Sequence, residues 1–220
     1  RDDLRRRTER RLGALVLSAV DGPAEPGPAT TAALVERVRA DGLDRLRWTD
    51  AARALQHRAT FARRVRSGAG EDWPDLSDAA LLADLDGWLA PLLHRARGRA
   101  DLERVDVTAA LRARLGHPWL GRIDAVAPAA LTVASGRSVP IDYSGDDPSI
   151  SVRVQELFGT TVHPTVGEGR VPVVVHLLSP AGRDVQVTAD LPGFWAGSWA
   201  EVRKDMAGRY PKHDWPENPA

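Results

Sequence analysis

Apolar residues recur at three-to-four spacing through the first part of the chain, and this predicts helices. From Thr30 or Thr31 the stripe is Leu34, Val35, Val38 and Leu43. Trp48-Thr49-Asp50 then places an N-cap at Thr49, ahead of a helix to about Arg66 with Ala52, Leu55, Ala59 and Val65 inward. Gly68 to Gly70 break that helix. Ser77 or Asp78 caps the next, which carries Leu81, Leu82, Leu85, Trp88, Leu89, Leu92 and Leu93 on one stripe. Two shorter helices are expected at 106–115 and 118–126.

After residue 127 the period shortens. Leu131–Val133 and Val139–Tyr143 flank Ser135-Gly136-Arg137, which reads as a hairpin. Ser149–Val154 alternates like a strand, and Gln155–Phe158 forms a helical turn ending at Gly159. Val171–Leu178 is apolar except for His176, as in a strand covered on both faces. Asp184–Thr188 alternates again, and Asp190–Gly208 reads as largely helical. The expectation is an α+β fold: a mainly helical N-terminal half, then a compact β-rich half with a C-terminal helix. The boundaries expected are 1–28 for a residual strand and linker, 29–128 for a helical subdomain and 129–220 for the β-rich subdomain with its proline-rich tail.

The first segment needs separate treatment. Arg5, Arg6, Arg7, Arg10 and Arg11 precede a short apolar run, Leu12–Val20, which reads as a single strand followed by a Pro/Gly linker at 21–28. A lone strand has no stability of its own. It is expected to be the last strand of a preceding domain. The arginines are either a solvated flank, interleaved with Asp2, Asp3 and Glu9, or a phosphate-binding run.

Composition narrows the classes. The chain has 220 residues, 43% of them hydrophobic, enough for a packed core. Formal net charge is zero, so any nucleic-acid contact must come from a local patch rather than bulk attraction. There are no cysteines, which excludes disulfides and thiolate metal sites and fits a reducing compartment. No apolar run approaches the roughly 20 residues of a membrane span. The chain reads as the C-terminal piece of a longer cytoplasmic protein.

Catalytic motifs are missing. No GxxxxGK[ST] loop occurs, and the two lysines precede Asp205 and His213. The six histidines form neither HExxH nor HxxxH. Asp142, Asp146 and Asp147 sit close together in a Gly/Asp/Pro stretch; this is either a solvated turn or a seat for a hard cation. No catalytic, metal or cofactor residue is assigned.

The tail is the densest chemistry. Phe194, Trp195, Trp199, Tyr210 and Trp215 account for five of the twelve aromatics, and Lys204 and Lys212 are the chain's only lysines. Arg203, Lys204, Arg209, Tyr210, Lys212, His213 and Trp215 form the candidate contact set for RNA or a partner protein. Rings among cations can stack on single-stranded bases while meeting the backbone. The same residues, held by cation–π contacts, can instead staple a proline-rich terminus onto the β half.

Six stretches resemble the HrpB-type ATP-dependent helicases of the DExH-box superfamily. They are RRLGALVLS (10–18), EDWPDLSDAALLADLDGWLAPLL (71–93), LTVASGRSVPIDYS (131–144), VRVQELFG (152–159), GRVPVVVHLLSPAGRDVQVTADLPGFW (169–195) and EVRKDMAGRYPKHDWPENP (201–219). The resemblance implies that the chain is the end of an oligonucleotide-binding-fold accessory domain followed by the family's C-terminal domain. It implies a non-catalytic accessory role in RNA guidance or partner interaction; the alternative is a protein–protein docking module. ATP and Mg would belong to upstream helicase domains, which would be partners within the same chain, beside single-stranded RNA and a possible protein partner.

Overall fold

The computed structural model describes residues 4–67 and 71–220. The expected break at Gly68–Gly70 lies outside them. The chain divides into two compact units: Arg1–Gln56 with Pro74–His117, and His57–Trp73 with Pro118–Ala220. Helices occupy the N-terminal half and sheets the C-terminal half, so the fold is α+β.

The first unit opens on an antiparallel ribbon, β1 (Arg5–Leu12) with β2 (Leu15–Pro23), turning at Gly13 with φ 60°. The single strand expected at Leu12–Val20 is therefore half of a hairpin, and the expected linker begins only after Pro23. The Arg-rich half lacks the apolar alternation that marks a strand, so it read as a flank. Its charge is offset locally: Glu9 pairs with Arg7 at 2.9 Å and Arg11 at 2.6 Å, and Arg6 meets Glu25 at 2.6 Å.

Helix α1 (Pro28–Asp41) starts with proline at its first position, where the missing N–H costs nothing, and buries Leu34, Val35 and Val38. Helix α2 (Asp50–Arg66) starts at the predicted cap, with the Ala52 N–H donating to Thr49 Oγ1 at 3.1 Å. Helix α3 (Asp78–Ala83) is capped by Ser77, whose Oγ accepts from the Ala80 N–H at 3.2 Å. Gln56 is a buried polar knot in this unit. Its amide donates to the Leu76 carbonyl at 2.9 Å and to Asp78 at 2.7 Å.

The apolar stripe from 81 to 93 predicts one helix, but the structure has three short pieces. They are α3, α4 (Leu85–Trp88) and a 3-10 turn at Ala90–Leu93. Asp84 leaves helical geometry at φ −119°, ψ 37°, and its carboxylate is held by Arg114. Pro91 then removes a backbone donor. Helix α5 (Arg99–Leu102) and the first part of α6 (Val107–Val126) complete the unit. Gly116, at φ 68° and ψ 166°, splits α6 into the two shorter helices that the sequence predicts.

The remaining sheets lie in the second unit. β3 (Ala130–Thr132) and β4 (Ser138–Pro140) form the predicted hairpin around Ser135-Gly136-Arg137. β5 (Ser149–Arg153) pairs in parallel with β8 (Val174–Leu178), which pairs antiparallel with β9 (Asp184–Thr188). The apolar run from 171 to 178 is not one strand. β7 (Val171–Pro172) pairs with β6 (Thr165–Val166), and the chain changes partner at Val173 because Pro172 has no N–H for a ladder. Ile150, Val152, Val173, Val175 and Leu177 form the core of this sheet. His163 ties that crossing to the tail. Its Nδ1 accepts from the Leu191 N–H at 3.0 Å, so its Nε2 carries the proton donated to the Val173 carbonyl at 2.8 Å.

Candidate interaction surface at the tail

Asp190 starts the tail by capping α7 (Leu191–Ala196), accepting the Gly193 N–H at 3.0 Å. Gly197 ends α7, and α8 (Trp199–Arg209) follows. Trp199 and Met206 lie one face inward; Lys204 and Arg209 lie outward. The Tyr210 N–H closes α8 on the Met206 carbonyl at 2.7 Å, and a turn at His213 brings the chain back along the helix.

The rings pack on each other. Trp199 meets Trp195 at 5.4 Å and 87°, Phe158 at 5.6 Å and 70°, and Trp215 at 6.3 Å. Edge-on geometry of this kind places positive ring edges on negative faces. Each indole N–H of the three tryptophans finds a main-chain carbonyl: Trp195 to Thr160, Trp199 to Pro216, and Trp215 to Tyr210, at 2.9–3.0 Å. The expected staple is therefore present, but its means differ. The cation–π pairs among the described residues lie at Trp48, Phe61, Trp73 and Trp119. In the tail, indole hydrogen bonds and ring edges do the holding.

The candidate contact residues thus separate into two groups. Trp215 is buried, and Tyr210 and Arg203 are half-buried. Arg203 donates to Glu217 at 3.2 Å and to the Trp215 carbonyl at 3.5 Å. Tyr210 Oη lies 3.5 Å from Ser179 Oγ. Lys204, Arg209, Lys212 and His213 are exposed, and Arg209 also pairs with Asp205 at 3.1 Å. The outward group offers cations to a phosphate backbone. Trp215 offers no free face for base stacking unless it leaves its seat.

The other sequence candidates are placed as follows. Asp142 is an Asx turn: its carboxylate accepts the Ser144 N–H at 2.8 Å, which holds its pKa below the usual range. The Asp146 carbonyl accepts from Arg64. Among the described residues no group of three His, Asp or Glu is arranged to hold a metal ion. The arginine run lies in the first unit and the tail cations in the second.

Sequence reasoning missed a second ring–cation cluster, in the second unit. Arg122 lies over Trp119 at 4.7 Å and Trp73 at 5.3 Å, and it pairs with Glu71 at 2.6 Å. That bond from Arg122 is the main reason the Glu71 carboxyl sits below its usual pKa. The three-residue step from Trp119 to Arg122 on a helix was the available signal. Nearby, Arg66 holds Glu168 at 2.9 Å; Glu168 is the one non-glycine with positive φ, 59°, among the described residues.

Comparison with known proteins gives a consistent answer. The family model described as "ATP-dependent helicase C-terminal" matches residues 88–219. The chain is similar to the ATP-dependent RNA helicase HrpB of Escherichia coli, with 42% identity over 189 residues. These residues make up 86% of this chain and 23% of that protein. It is also similar to the crystal structure of the E. coli DExH-box NTPase HrpB. The TM-score is 0.83 at 36% identity, over 100% of this chain and 28% of that one. A second crystal structure, of the E. coli DEAH/RHA helicase HrpB, aligns with a TM-score of 0.72 over 95% of this chain and 26% of that one. The chain spans about a quarter of the length of these relatives. With its family match over most of the chain and its fold shared throughout, the chain belongs to the HrpB family of ATP-dependent helicases and corresponds to their C-terminal region.

Proposed function

We propose that this region is an accessory domain that docks onto the preceding part of a helicase chain through the β1–β2 ribbon. One observation carries the reading. Leu12, Leu15, Val16, Leu17 and Val20 are 44–72% exposed on a two-stranded ribbon. Such a ribbon is marginal in water without a covering layer. Burying each of these side chains is worth roughly 1.5–3 kcal/mol. The occupant is the preceding accessory domain of the same chain, to which the ribbon contributes its last strands. Ionic contacts at Glu9 keep the arginine strand soluble until it docks.

Leu17→Asp with Val20→Asp tests this. The pair is expected to lower the thermal stability of a longer helicase chain carrying this region, with little effect on the 220-residue chain alone. Equal stability of the longer chain with and without the pair would refute docking through the ribbon.

The exposed cations Lys204, Arg209 and Lys212, with His213 exposed beside them, favour a further contact, to the backbone of single-stranded RNA. Binding would be salt-sensitive, because each neutralised phosphate releases counterions. A fluorescent oligonucleotide that shows no binding at low salt would remove RNA guidance from the account.

A further inference from the structure

The terminal segment is Trp215-Pro216-Glu217-Asn218-Pro219, a Pro-x-x-Pro sequence with an acid inside it. We propose that its seat is a peptide-recognition site, occupied in this structure by the chain's own tail. The partner that fits it is an extended, proline-containing acidic segment of another protein.

The chemistry of the seat supports this. Trp199, 1% exposed, donates its indole N–H to the Pro216 carbonyl at 3.0 Å. The Gly159 N–H donates to the Pro219 carbonyl at 2.7 Å. Arg203 donates to the Trp215 carbonyl at 3.5 Å and to the Glu217 carboxylate at 3.2 Å. Among the described residues, every main-chain bond holding 215–219 in the seat uses a tail carbonyl as acceptor. Proline has no N–H, so a seat that meets the segment's main chain only with donors favours proline-rich backbones over strands, which must also donate. Aromatic walls do the rest. Trp199 meets Phe158 and Trp195 edge to face, and Pro219 is buried while Pro216 is half-buried. Glu217 and Asn218 point out, with the Glu217 side chain 87% exposed. The seat therefore reads two prolines, one acid and a run of carbonyls, which is a recognition code rather than a continuous core.

The tail is also poised to leave. It pairs with no strand, and releasing it breaks the Trp199, Gly159 and Arg203 bonds named above. While it stays, it competes as a tethered ligand at an effective concentration of about a millimolar. A partner must outcompete it, so the tail acts as a built-in threshold. This proposal does not depend on docking through the ribbon.

The test uses the full chain and a labelled peptide, Asp-Trp-Pro-Glu-Asn-Pro-Ala, read by fluorescence anisotropy. Glu217→Arg with Pro219→Gly loosens the chain's own tail. The peptide is expected to bind this variant at least tenfold more tightly than it binds the unaltered chain. Adding Arg203→Glu should remove that gain, and a peptide with Lys in place of its Glu should restore it. Equal binding to the unaltered and loosened chains, or indifference to the Arg203 charge, overturns the proposal. A dimer formed by exchanging tails, seen by light scattering and excluding the peptide, also overturns it. If the loosened chain does not fold, hydrogen exchange on the unaltered chain decides. The Gly159 amide must exchange at least tenfold faster than the β8 amides; equal protection overturns the proposal.

Discussion

Replacing Trp215 separates a structural tail from a base-stacking one. The indole is 8% exposed, lies 6.3 Å from the Trp199 ring, and donates to the Tyr210 carbonyl at 2.9 Å. Truncating a buried tryptophan to alanine costs about 3–5 kcal/mol. The low end applies here, because the indole keeps some solvent exposure and the site can partly collapse. Losing the hydrogen bond is included in that figure and is worth about 1 kcal/mol. Trp215→Phe keeps most of the apolar contact and loses the N–H, so about 1 kcal/mol is expected. For a chain of this size each kcal/mol moves Tm by about 2–4 °C. Trp215→Ala should then lower Tm by about 6–12 °C and Trp215→Phe by about 2–4 °C, measured by circular dichroism. An unchanged Tm for Trp215→Ala, together with weakened RNA binding, would show that the ring works outward and would refute the packing argument.

Three further outcomes follow from the same geometry. Gln56→Leu strands the Leu76 carbonyl and removes a partner of Asp78, so a loss of about 1–3 kcal/mol is expected in denaturant unfolding. Gly167→Ala should destabilise by about 1–3 kcal/mol, because φ there is +62° and a Cβ would meet Val65 and Val171 at 3.2 and 3.3 Å. Asp101 and Asp142 both have lowered carboxyl pKa values, caused first by the backbone N–H of Arg97 and of Ser144 respectively. A lowered folded pKa contributes stability above the unfolded value of 3.8, and that stability is lost as pH falls through the folded value. Acid titration should therefore show stability falling below about pH 4, with a shallower fall for Asp142→Asn.

Much of the fold was legible because local chemistry agreed with tertiary structure. Thr49 and Ser77 cap the helices that the apolar stripes predict, and Gly116 divides α6 where a break was expected. Legibility failed where a distant partner decided. Asp84 ends α3 while bound to Arg114, thirty residues away, and no local pattern marks that. The arginine strand β1 forms because β2 pairs with it and Glu9 offsets its charge. At the tail, the residue types were visible but their directions were not. Sequence placed Trp215 and Lys212 in one candidate set; folding turns one inward and leaves the other in water. The Trp73–Trp119–Arg122 cluster escaped notice because its two tryptophans come from segments far apart in sequence.

The docking role rests on the ribbon, and hydrogen exchange reads it directly. In the 220-residue chain the amides of Arg5–Leu12 and Leu15–Pro23 should exchange at least a hundredfold faster than those of β8. In a longer helicase chain carrying this region they should become as protected as β8. Equal, rapid exchange of the ribbon in both chains would contradict the account.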